Sequence, residues 1–250
     1  MKPIYAIIGK GRWGNRLLKI LRCHGRHTIQ LNISRPQNQN AICAYQDQII
    51  QHINQYAKKS DIVWVSIPPG QQYEAVKSVL IAGKHAVIEK PWMVNTEKTH
   101  SLIQLADEKN LNIAVHYQYC FLDKFSDLRE KFDFSDKNII FSGIFNTSKK
   151  DRISIPALHN FGCHLLAIKN YYFPNAQLGE IKTGYDMDDQ RSMTIQIKST
   201  DYSINFLNNQ EPLIQRFIDG FELDLIKKAK SDFNLYFSLK ILKDLNELHN

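Results

Sequence analysis

The sequence predicts a two-domain α/β protein, in which an N-terminal, doubly wound parallel sheet precedes a smaller α+β domain with an open, mostly antiparallel sheet. Two observations predict this fold class. Short apolar runs of β type alternate with segments of helical periodicity through the first half of the chain. The second half contains segments that alternate in the β manner and ends in a largely helical part. We place the two domains at residues 1–118 and 119–250.

The first domain is predicted to contain strands at residues 4–8, 28–33, 61–67, 85–88 and 112–116, and helices at 13–24, 46–58, 71–82 and 95–110. Leu17 and Leu21 recur at helical spacing after the first strand. Gly83 is a normal stop for the third helix, and Asn95 or Thr96 is a suitable N-cap for the fourth. Because strands and helices alternate, right-handed crossovers and a parallel sheet covered on both faces follow.

The second domain is predicted to contain strands at residues 138–146, 190–198 and 202–207, and helices at 157–173 and from 213 onward. Ile195, Ile197, Ile204 and Phe206 alternate along the last two strands. One sheet face is therefore apolar. It could support a homo-oligomer through this sheet, or it could cover the domain's own helices.

The composition narrows the classes of protein to consider. The chain has 250 residues, 43% of them hydrophobic, and no apolar run long enough to cross a bilayer, so we expect a soluble, cytoplasmic protein without membrane partners. Its four cysteines are scattered without metal-ligand spacing. The net charge of +7 suits an anionic ligand, but no recognition helix, zinc site or aromatic–basic pattern points to nucleic acid.

The segment "AIIGKGRWGNRLL" joins the first strand to the first helix. Gly9 permits a tight turn, Gly11 lets a pyrophosphate approach the backbone, and Gly14 lets the helix pack close to the strand. The helix N-terminus then offers unpaired N–H groups to phosphate. We predict a dinucleotide site at these glycines, and we include Arg12 and Trp13 between them. A glycine-rich turn without a ligand is the alternative.

The end of the second predicted strand indicates which dinucleotide is preferred. A carboxylate there normally holds the ribose 2′-hydroxyl of NAD. The chain has no Asp or Glu before Asp47, and Ser34 and Arg35 occupy the place. A hydroxyl and a guanidinium suit a 2′-phosphate. We therefore predict NADP(H) as the preferred cofactor and keep NAD(H) as the other candidate, with an exposed loop arginine as the alternative for Arg35.

The stretch "DIVWVSIPPGQQYEAVKSVLIAGKHAVIEKP", together with the early GKGRWG, resembles the Gfo/Idh/MocA family of oxidoreductases. The resemblance implies a Rossmann domain and a substrate domain, here shortened at its C-terminal part. It also implies that Lys90 of the EKP motif points into the active site. In the family, the peptide bond between this lysine and the following proline is often cis. We include Pro68, Glu89 and Lys90 in the predicted cofactor site. A cation at this place stabilises alkoxide character on a substrate oxygen.

The segment "HNFGCH" resembles the family's second-domain signature, Asp-x-Gly-x-His. The resemblance implies that His164 carries the proton, and the i, i+4 spacing places Asn160 and His164 on one face of a helix. Asn160 replaces the family's Asp and cannot ionise, so it can orient a hydroxyl but cannot share a charge. Lys90, His164 and Asn160 are the predicted catalytic residues, and His159 is added to the substrate side.

Two further departures from the family pattern concern the substrate. Gln72 stands where the family commonly has His, and "HYQYCFLDKF" replaces the usual sequence after the fifth strand. We predict that His116, Tyr117 and Tyr119 line the substrate side, where aromatic rings could stack on a sugar or simply form core. Lys149, Lys150 and Arg152 could hold an anionic or phosphorylated substrate, or they could form a solvated turn.

Two functions follow from these patterns. The first is an NADP-dependent oxidoreductase that transfers hydride between NADP(H) and a sugar, a nucleotide-sugar or another small hydroxy, carbonyl or imine compound. The second is an NADP(H)-binding sensor or regulatory protein of the same fold, with weak or no turnover. Asn160 and the short second domain favour the second function, and the EKP motif favours the first.

Overall fold

A computed structural model gives the fold, and it describes residues 2–31, 47–52, 55, 60–125, 128, 139–148, 155–185, 188–197, 200–206 and 212–249. The described chain divides into two compact units. The first comprises Met1–His116 with Ile218–Leu239, and the second comprises Tyr117–Phe217 with Lys240–Asn250. The segment Ile218–Leu239, which the sequence-based division assigned to the second domain, therefore groups with the first unit.

The first unit is built on a five-stranded parallel sheet with the order β2-β1-β3-β4-β5. The strands are β1 (Tyr5–Ile8), β2 (Thr28–Leu31), β3 (Ile62–Val65), β4 (His85–Glu89) and β5 (Ile113–His116). Every residue of β1, β3 and β5 is buried, as expected for a parallel sheet covered on both faces. The α/β fold class and the five strands of this sheet are confirmed. The order of strands reverses between β1 and β3, where open α/β sheets bind ligands.

The helices that cross between the strands of this unit include α1 (Arg12–Cys23), α2 (Pro69–Ile81) and α3 (Thr96–Glu108). Helix α1 buries Gly14, Leu17 and Leu21, and the two leucines belong to the stripe that its apolar spacing predicts. Asn95 caps α3, because its side chain accepts a hydrogen bond from the Lys98 backbone N–H at 2.9 Å. Residues 47–52 of the helix predicted at 46–58 are helical, and most of its remainder lies outside the described residues.

The returning segment Ile218–Leu239 is held in the first unit by ion pairs to the buried Arg26. Arg26 is 8% exposed and donates to Glu222 Oε2 at 2.9 Å and to Asp219 Oδ1 at 2.6 Å. The Tyr5 hydroxyl donates to Glu222 Oε1 at 2.9 Å. Burial and the neighbouring Glu222 carboxylate raise the pKa of Tyr5 well above its usual value, so Tyr5 stays a neutral donor. The arginine thus neutralises the carboxylates that this segment brings to the start of β1.

A second contact of the same segment lies beside β5. The Phe233 carbonyl accepts from the Val115 N–H at 2.8 Å. The Asn112 side chain donates to the Ala229 carbonyl at 2.7 Å and accepts from the Ser231 N–H at 3.1 Å. The backbone at the end of the parallel sheet is therefore hydrogen-bonded to a segment more than 100 residues later in the chain.

The second unit is built on a mixed sheet with the order β7-β6-β8-β9. Its strands are β6 (Ile139–Asn146), β7 (Gln177–Gly184), β8 (Gln190–Ile197) and β9 (Thr200–Asn205). β6 pairs with β8 and β8 with β9 in antiparallel fashion, whereas β7 is parallel to β6. β7 was not predicted, because Glu180, Lys182 and three small residues leave its sequence without strong apolar alternation. Its parallel direction follows from the helix that connects it to β6.

One face of this sheet is covered by the unit's own helix. A π-helical stretch, Leu158–Gly162, runs into α4 (Cys163–Tyr172), and every residue of α4 up to Asn170 is buried. Ile195, Ile204 and Phe206 are buried on the sheet. A Cβ atom on Gly143 would overlap the Leu165 side chain, so the helix lies close to the strand there. This packing favours the second of the two roles considered for the apolar alternation.

The remaining helices are α5 (Leu213–Lys227) and α6 (Leu235–His249), which confirms the helical C-terminal part of the prediction. None of the helices in the described part of the chain combines the length and the apolar character that crossing a lipid bilayer requires.

Candidate functional site

The three glycines after β1 differ in what surrounds them. Gly9 has φ +122°, and a Cβ there would overlap the Ser66 carbonyl oxygen at the end of β3. A Cβ on Gly14 would overlap the Gly9 carbonyl oxygen. Gly11 is different, because a Cβ there would meet no described atom within 4 Å. Packing therefore explains Gly9 and Gly14, while Gly11 faces open space where a ligand can approach the backbone.

Helix α1 begins at this open space without a protein cap. Gly11 is its N-cap residue, none of the described side chains caps the helix, and no acidic residue lies in its first turn. The N–H groups of the first turn and the positive end of the helix dipole are thus available to an anion. Arg12 is exposed, and Trp13 is half-buried with its ring stacked against His116 at 6.4 Å. These features fit the pyrophosphate of a dinucleotide.

The side chains of Gln30 and Asn15 form hydrogen bonds with the backbone of the glycine turn. Gln30 of β2 donates to the Gly9 carbonyl at 3.3 Å and to Asn15 Oδ1 at 3.0 Å. Asn15 in turn donates to the Lys10 carbonyl at 3.3 Å. The turn is therefore held in place by the protein itself. Ser34 and Arg35, which predict the cofactor's 2′-phosphate, lie outside the described residues.

The end of β4 carries the EKP motif. Glu89 is 8% exposed, Lys90 is half-buried and the Lys90–Pro91 peptide bond is cis, as the family resemblance predicted. Gln72 of α2 is fully buried and donates to the Glu89 carbonyl at 2.7 Å and to the Ile67 carbonyl at 3.3 Å. The amide nitrogen supplies both N–H donors from one atom to the two carbonyls. Gln72 thus fixes the peptide from which Lys90 extends.

The Glu89 carboxylate is engaged inside the first unit. Its Oε1 accepts from Trp64 Nε1 at 2.9 Å and lies 3.1 Å from His116 Nδ1. Trp64 packs edge-on against the His116 ring at 5.2 Å. Glu89 therefore holds the aromatic side chains at the ends of β3 and β5, and a direct contact with the cofactor remains a prediction. His116 is 1% exposed, and its substrate contact is likewise a prediction.

The second-domain signature lies at the junction of the π-helical stretch and α4. His164 is 5% exposed, and its ring lies 4.8 Å from Tyr119 and 5.8 Å from Phe145. Asn160 is 2% exposed and donates from Nδ2 to the Tyr185 hydroxyl at 3.1 Å. That hydroxyl donates its single proton to the Ile155 carbonyl. The Asn160 amide therefore has a fixed orientation, in which Oδ1 points away from Tyr185.

The other predicted residues of the second unit are buried. Tyr117 is 1% exposed, Tyr119 is 7% exposed and His159 is 9% exposed. Tyr119 also packs against Phe206 at 5.1 Å, which is the arrangement of a core residue. Their substrate contacts stay predictions. Lys149, Lys150 and Arg152 lie outside the described residues.

Sequence reasoning missed three residues that the structure brings into these sites. Trp64 and Tyr185 contact predicted residues directly, and Gln72 was noticed only as a departure from the family's His. The position of Gln72, two residues into the segment after Pro-Pro-Gly, was a usable signal. Nothing in the sequence near Tyr185 indicated its contact with Asn160.

Comparison with known proteins finds a family match in the N-terminal part of the chain. Residues 4–117 match the family model GFO_IDH_MocA, described as the oxidoreductase family with an NAD-binding Rossmann fold. The chain is therefore similar to the Gfo/Idh/MocA oxidoreductases over these residues, which include the five-stranded parallel sheet.

Two curated relatives show how far sequence similarity extends. An uncharacterized oxidoreductase of Schizosaccharomyces pombe, C115.03, is 43% identical over 56 residues, which are 22% of this chain and 15% of the relative. The scyllo-inositol 2-dehydrogenase (NADP(+)) IolW of Bacillus subtilis is 37% identical over 57 residues, or 23% of this chain and 16% of that protein. The aligned stretches thus span less than a fifth of these relatives.

Solved structures share the fold over the whole chain. UDP-N-acetylglucosamine 3-dehydrogenase GnnA from Acidithiobacillus ferrooxidans has a TM-score of 0.79 at 14% identity, covering 99% of this chain and 96% of that one. The WlbA (WbpB) dehydrogenase from Thermus thermophilus, in complex with NAD and UDP-GlcNAcA, has a TM-score of 0.72 at 12% identity, covering 100% and 95%. At such identities the similarity shows the fold alone.

Proposed function

We propose that this protein is an NADP(H)-dependent oxidoreductase that acts on a small hydroxy or carbonyl compound of sugar type. The observation that carries the proposal is the opening at Gly11, which lies beside the uncapped N-terminus of α1. A glycine that no packing contact requires, next to free helical N–H groups, fits the approach of a pyrophosphate. The family match supports a nicotinamide dinucleotide as the ligand.

When it is bound, the cofactor supplies a hydride acceptor or donor at C4 of its nicotinamide ring. In this proposal Lys90 polarises the substrate oxygen, because its ammonium stabilises the negative charge that develops there. His164 accepts the hydroxyl proton during oxidation and returns it during reduction. Asn160 orients the substrate through its fixed amide. Gln72 and Glu89 are positioning residues in this proposal. Gln72 holds the peptide from which Lys90 extends, and Glu89 holds the His116 ring.

The preference for NADP(H) rests on Ser34 and Arg35 and on the absence of a carboxylate before Asp47. An arginine fork matches a 2′-phosphate, whereas NAD needs an acceptor for its 2′-hydroxyl. The printed name of the Bacillus subtilis relative includes NADP(+), while the Thermus thermophilus structure contains NAD. Fluorescence titrations with NADPH and NADH decide between them, and tighter binding of NADH would refute the preference.

The substrate class is proposed from the relatives. Their names include an inositol dehydrogenase and a dehydrogenase of a nucleotide-linked amino sugar. We therefore propose a polyhydroxylated ring, either a free sugar or a nucleotide-sugar. The test is a panel of such compounds, monitored by absorbance of the reduced cofactor, with Lys90→Met as the inactive reference. Unchanged turnover in that variant would remove Lys90 from the mechanism.

The replacement of the family's Asp by Asn160 supports the other candidate, a cofactor-binding sensor. The same panel separates the two functions. A sensor binds NADPH and shows a change of fluorescence without any decay of absorbance, whereas an oxidoreductase consumes the reduced cofactor with at least one carbonyl compound of the panel.

A further inference from the structure

Arg191 is a charged residue of the second unit that the proposed mechanism does not use. It lies on β8, directly opposite Phe145 of β6 in the antiparallel pair. Its guanidinium carbon lies over the Phe145 ring, 5.0 Å from the ring centre. Its Nε atom is buried and has no hydrogen-bond partner among the described residues. A buried arginine N–H without an acceptor costs free energy, unless a bound ligand accepts its hydrogen bond.

The ring beneath Arg191 belongs to the cluster around His164. Phe145 stacks on Phe161 at 4.8 Å and on the His164 imidazole at 5.8 Å. The guanidinium and the proposed proton carrier therefore contact the same aromatic ring. A group bound by Arg191 would therefore lie at the same aromatic cluster as the signature histidine.

The arginine is also held in place before any ligand arrives. The strand register fixes its backbone against Phe145, and its carbonyl accepts from the Phe206 N–H at 2.7 Å. Stacking on Phe145 restricts the guanidinium plane. Among the described acidic residues, none forms an ion pair with it. A preorganised guanidinium of this kind recognises planar carboxylates and phosphates through paired N–H donors.

We infer that Arg191 is an anion-binding residue of the second unit, and that the substrate carries a carboxylate or a phosphate in addition to the hydroxyl or carbonyl that it presents to His164. This inference rests on the proposed function in naming the substrate, but the anion site itself does not depend on turnover. It also goes beyond the basic loop considered from the sequence, because Arg191 lies on a strand.

The test measures binding of three probes to the full-length protein without cofactor, at constant ionic strength. Glucuronate, glucose 6-phosphate and glucose share one ring and differ in charge. Titration calorimetry should show that the wild-type protein binds at least one of the charged probes about tenfold more tightly than glucose. The probe with the larger preference identifies carboxylate or phosphate as the recognised group.

Arg191→Met should abolish this preference, Arg191→Gln should abolish most of it, and Arg191→Lys should retain part of it. Lys182→Met is the matched control, because it removes an exposed cation from the same sheet. The control should bind the three probes as the wild type does. If Arg191→Met does not fold, Arg191→Gln gives the same comparison.

Two results would overturn the inference: equal affinity of the wild-type protein for charged and neutral probes, or a charge preference that survives in Arg191→Gln. Failure of the proposed function gives a different result. In that case NADPH and NADH fail to bind or to be consumed, while the Arg191-dependent anion preference persists.

Discussion

The carboxylate of Glu89 lies 3.1 Å from Nδ1 of His116, at the adjacent ends of β4 and β5. Both residues are buried, and the same oxygen also accepts from Trp64 Nε1. One carboxylate thus organises two aromatic side chains beside Lys90. This arrangement explains why a glutamate precedes the lysine without requiring that the glutamate touch a ligand.

Glu89→Ala should destabilise the protein by about 2–4 kcal/mol, because it removes a buried carboxylate that accepts from Trp64 Nε1 and contacts His116 Nδ1. Glu89→Gln is the control, since it keeps the side-chain shape and one acceptor oxygen and should cost about 1–2 kcal/mol. Urea denaturation measures both values. Equal stability of Glu89→Ala and the wild type would show that the carboxylate does not hold these side chains.

Arg26→Met should be more destabilising than Asp219→Asn, although the two residues form one ion pair. Arg26 has a side chain only 6% exposed, so its loss leaves the Glu222 carboxylate without this cation and should cost about 3 kcal/mol. The Asp219 side chain is 57% exposed, and its loss should cost less than about 1 kcal/mol. Thermal unfolding of the two variants tests the order, and the reverse order would contradict it.

His85 should make the protein less stable as the pH falls. Burial lowers the pKa of His85 below its usual 6.5, and its Nδ1 accepts from the Asn112 N–H at 2.9 Å. Asp61 opposes this shift, while Lys230 and Lys84 reinforce it. Below pH 6.5 the unfolded chain takes up a proton that the folded chain resists, so stability falls until the folded pKa is reached.

The slope attributable to this one histidine cannot exceed about 1.4 kcal/mol per pH unit. His85→Gln is the control, because its side-chain oxygen can still accept from Asn112 but cannot titrate. Urea unfolding of the wild type and of His85→Gln between pH 7 and 5 should diverge as the pH decreases. Parallel curves would rule out His85 as the cause.

Asn160→Asp should lower stability, even though it restores the family's usual residue. The Tyr185 hydroxyl gives its proton to the Ile155 carbonyl and accepts from the Asn160 amide. A carboxylate in place of the amide offers no donor to the Tyr185 hydroxyl. The hydroxyl could donate to this carboxylate only by losing its hydrogen bond to the Ile155 carbonyl. We expect a loss of about 1–3 kcal/mol at neutral pH. Asn160→Asp in a Tyr185→Phe background should lose less than it does alone, and strict additivity of the two changes would contradict this coupling.

Much of the first unit could be predicted because its signals are local. The order of apolar runs, Gly83 at a helix end and Asn95 at a helix start were sufficient for the strands and helices of the parallel sheet. The placement of Ile218–Leu239 with this unit could not be predicted, since it depends on long-range contacts such as that between Arg26 and Glu222. Such contacts leave no periodicity in the sequence.

The second unit was harder for the same reason. β7 lacks apolar alternation, and its pairing with β6 is set by the crossover through α4 rather than by its own residues. The candidate site shows a similar division. Gly9, Gly11 and Gly14 could be read from one motif, whereas the contacts of Gln72, Trp64 and Tyr185 arise only when distant strands and helices meet.

The most direct test of dinucleotide binding at the glycine turn compares Gly11→Ala with Gly14→Ala. A methyl group on Gly11 meets no described atom, while one on Gly14 would overlap the Gly9 carbonyl. The free energy of unfolding of Gly11→Ala should therefore lie within about 1 kcal/mol of the wild-type value, yet this variant should bind NADPH at least tenfold more weakly. Gly14→Ala should instead have a lower free energy of unfolding than the wild type. Unchanged NADPH affinity in a folded Gly11→Ala protein would contradict the proposed site.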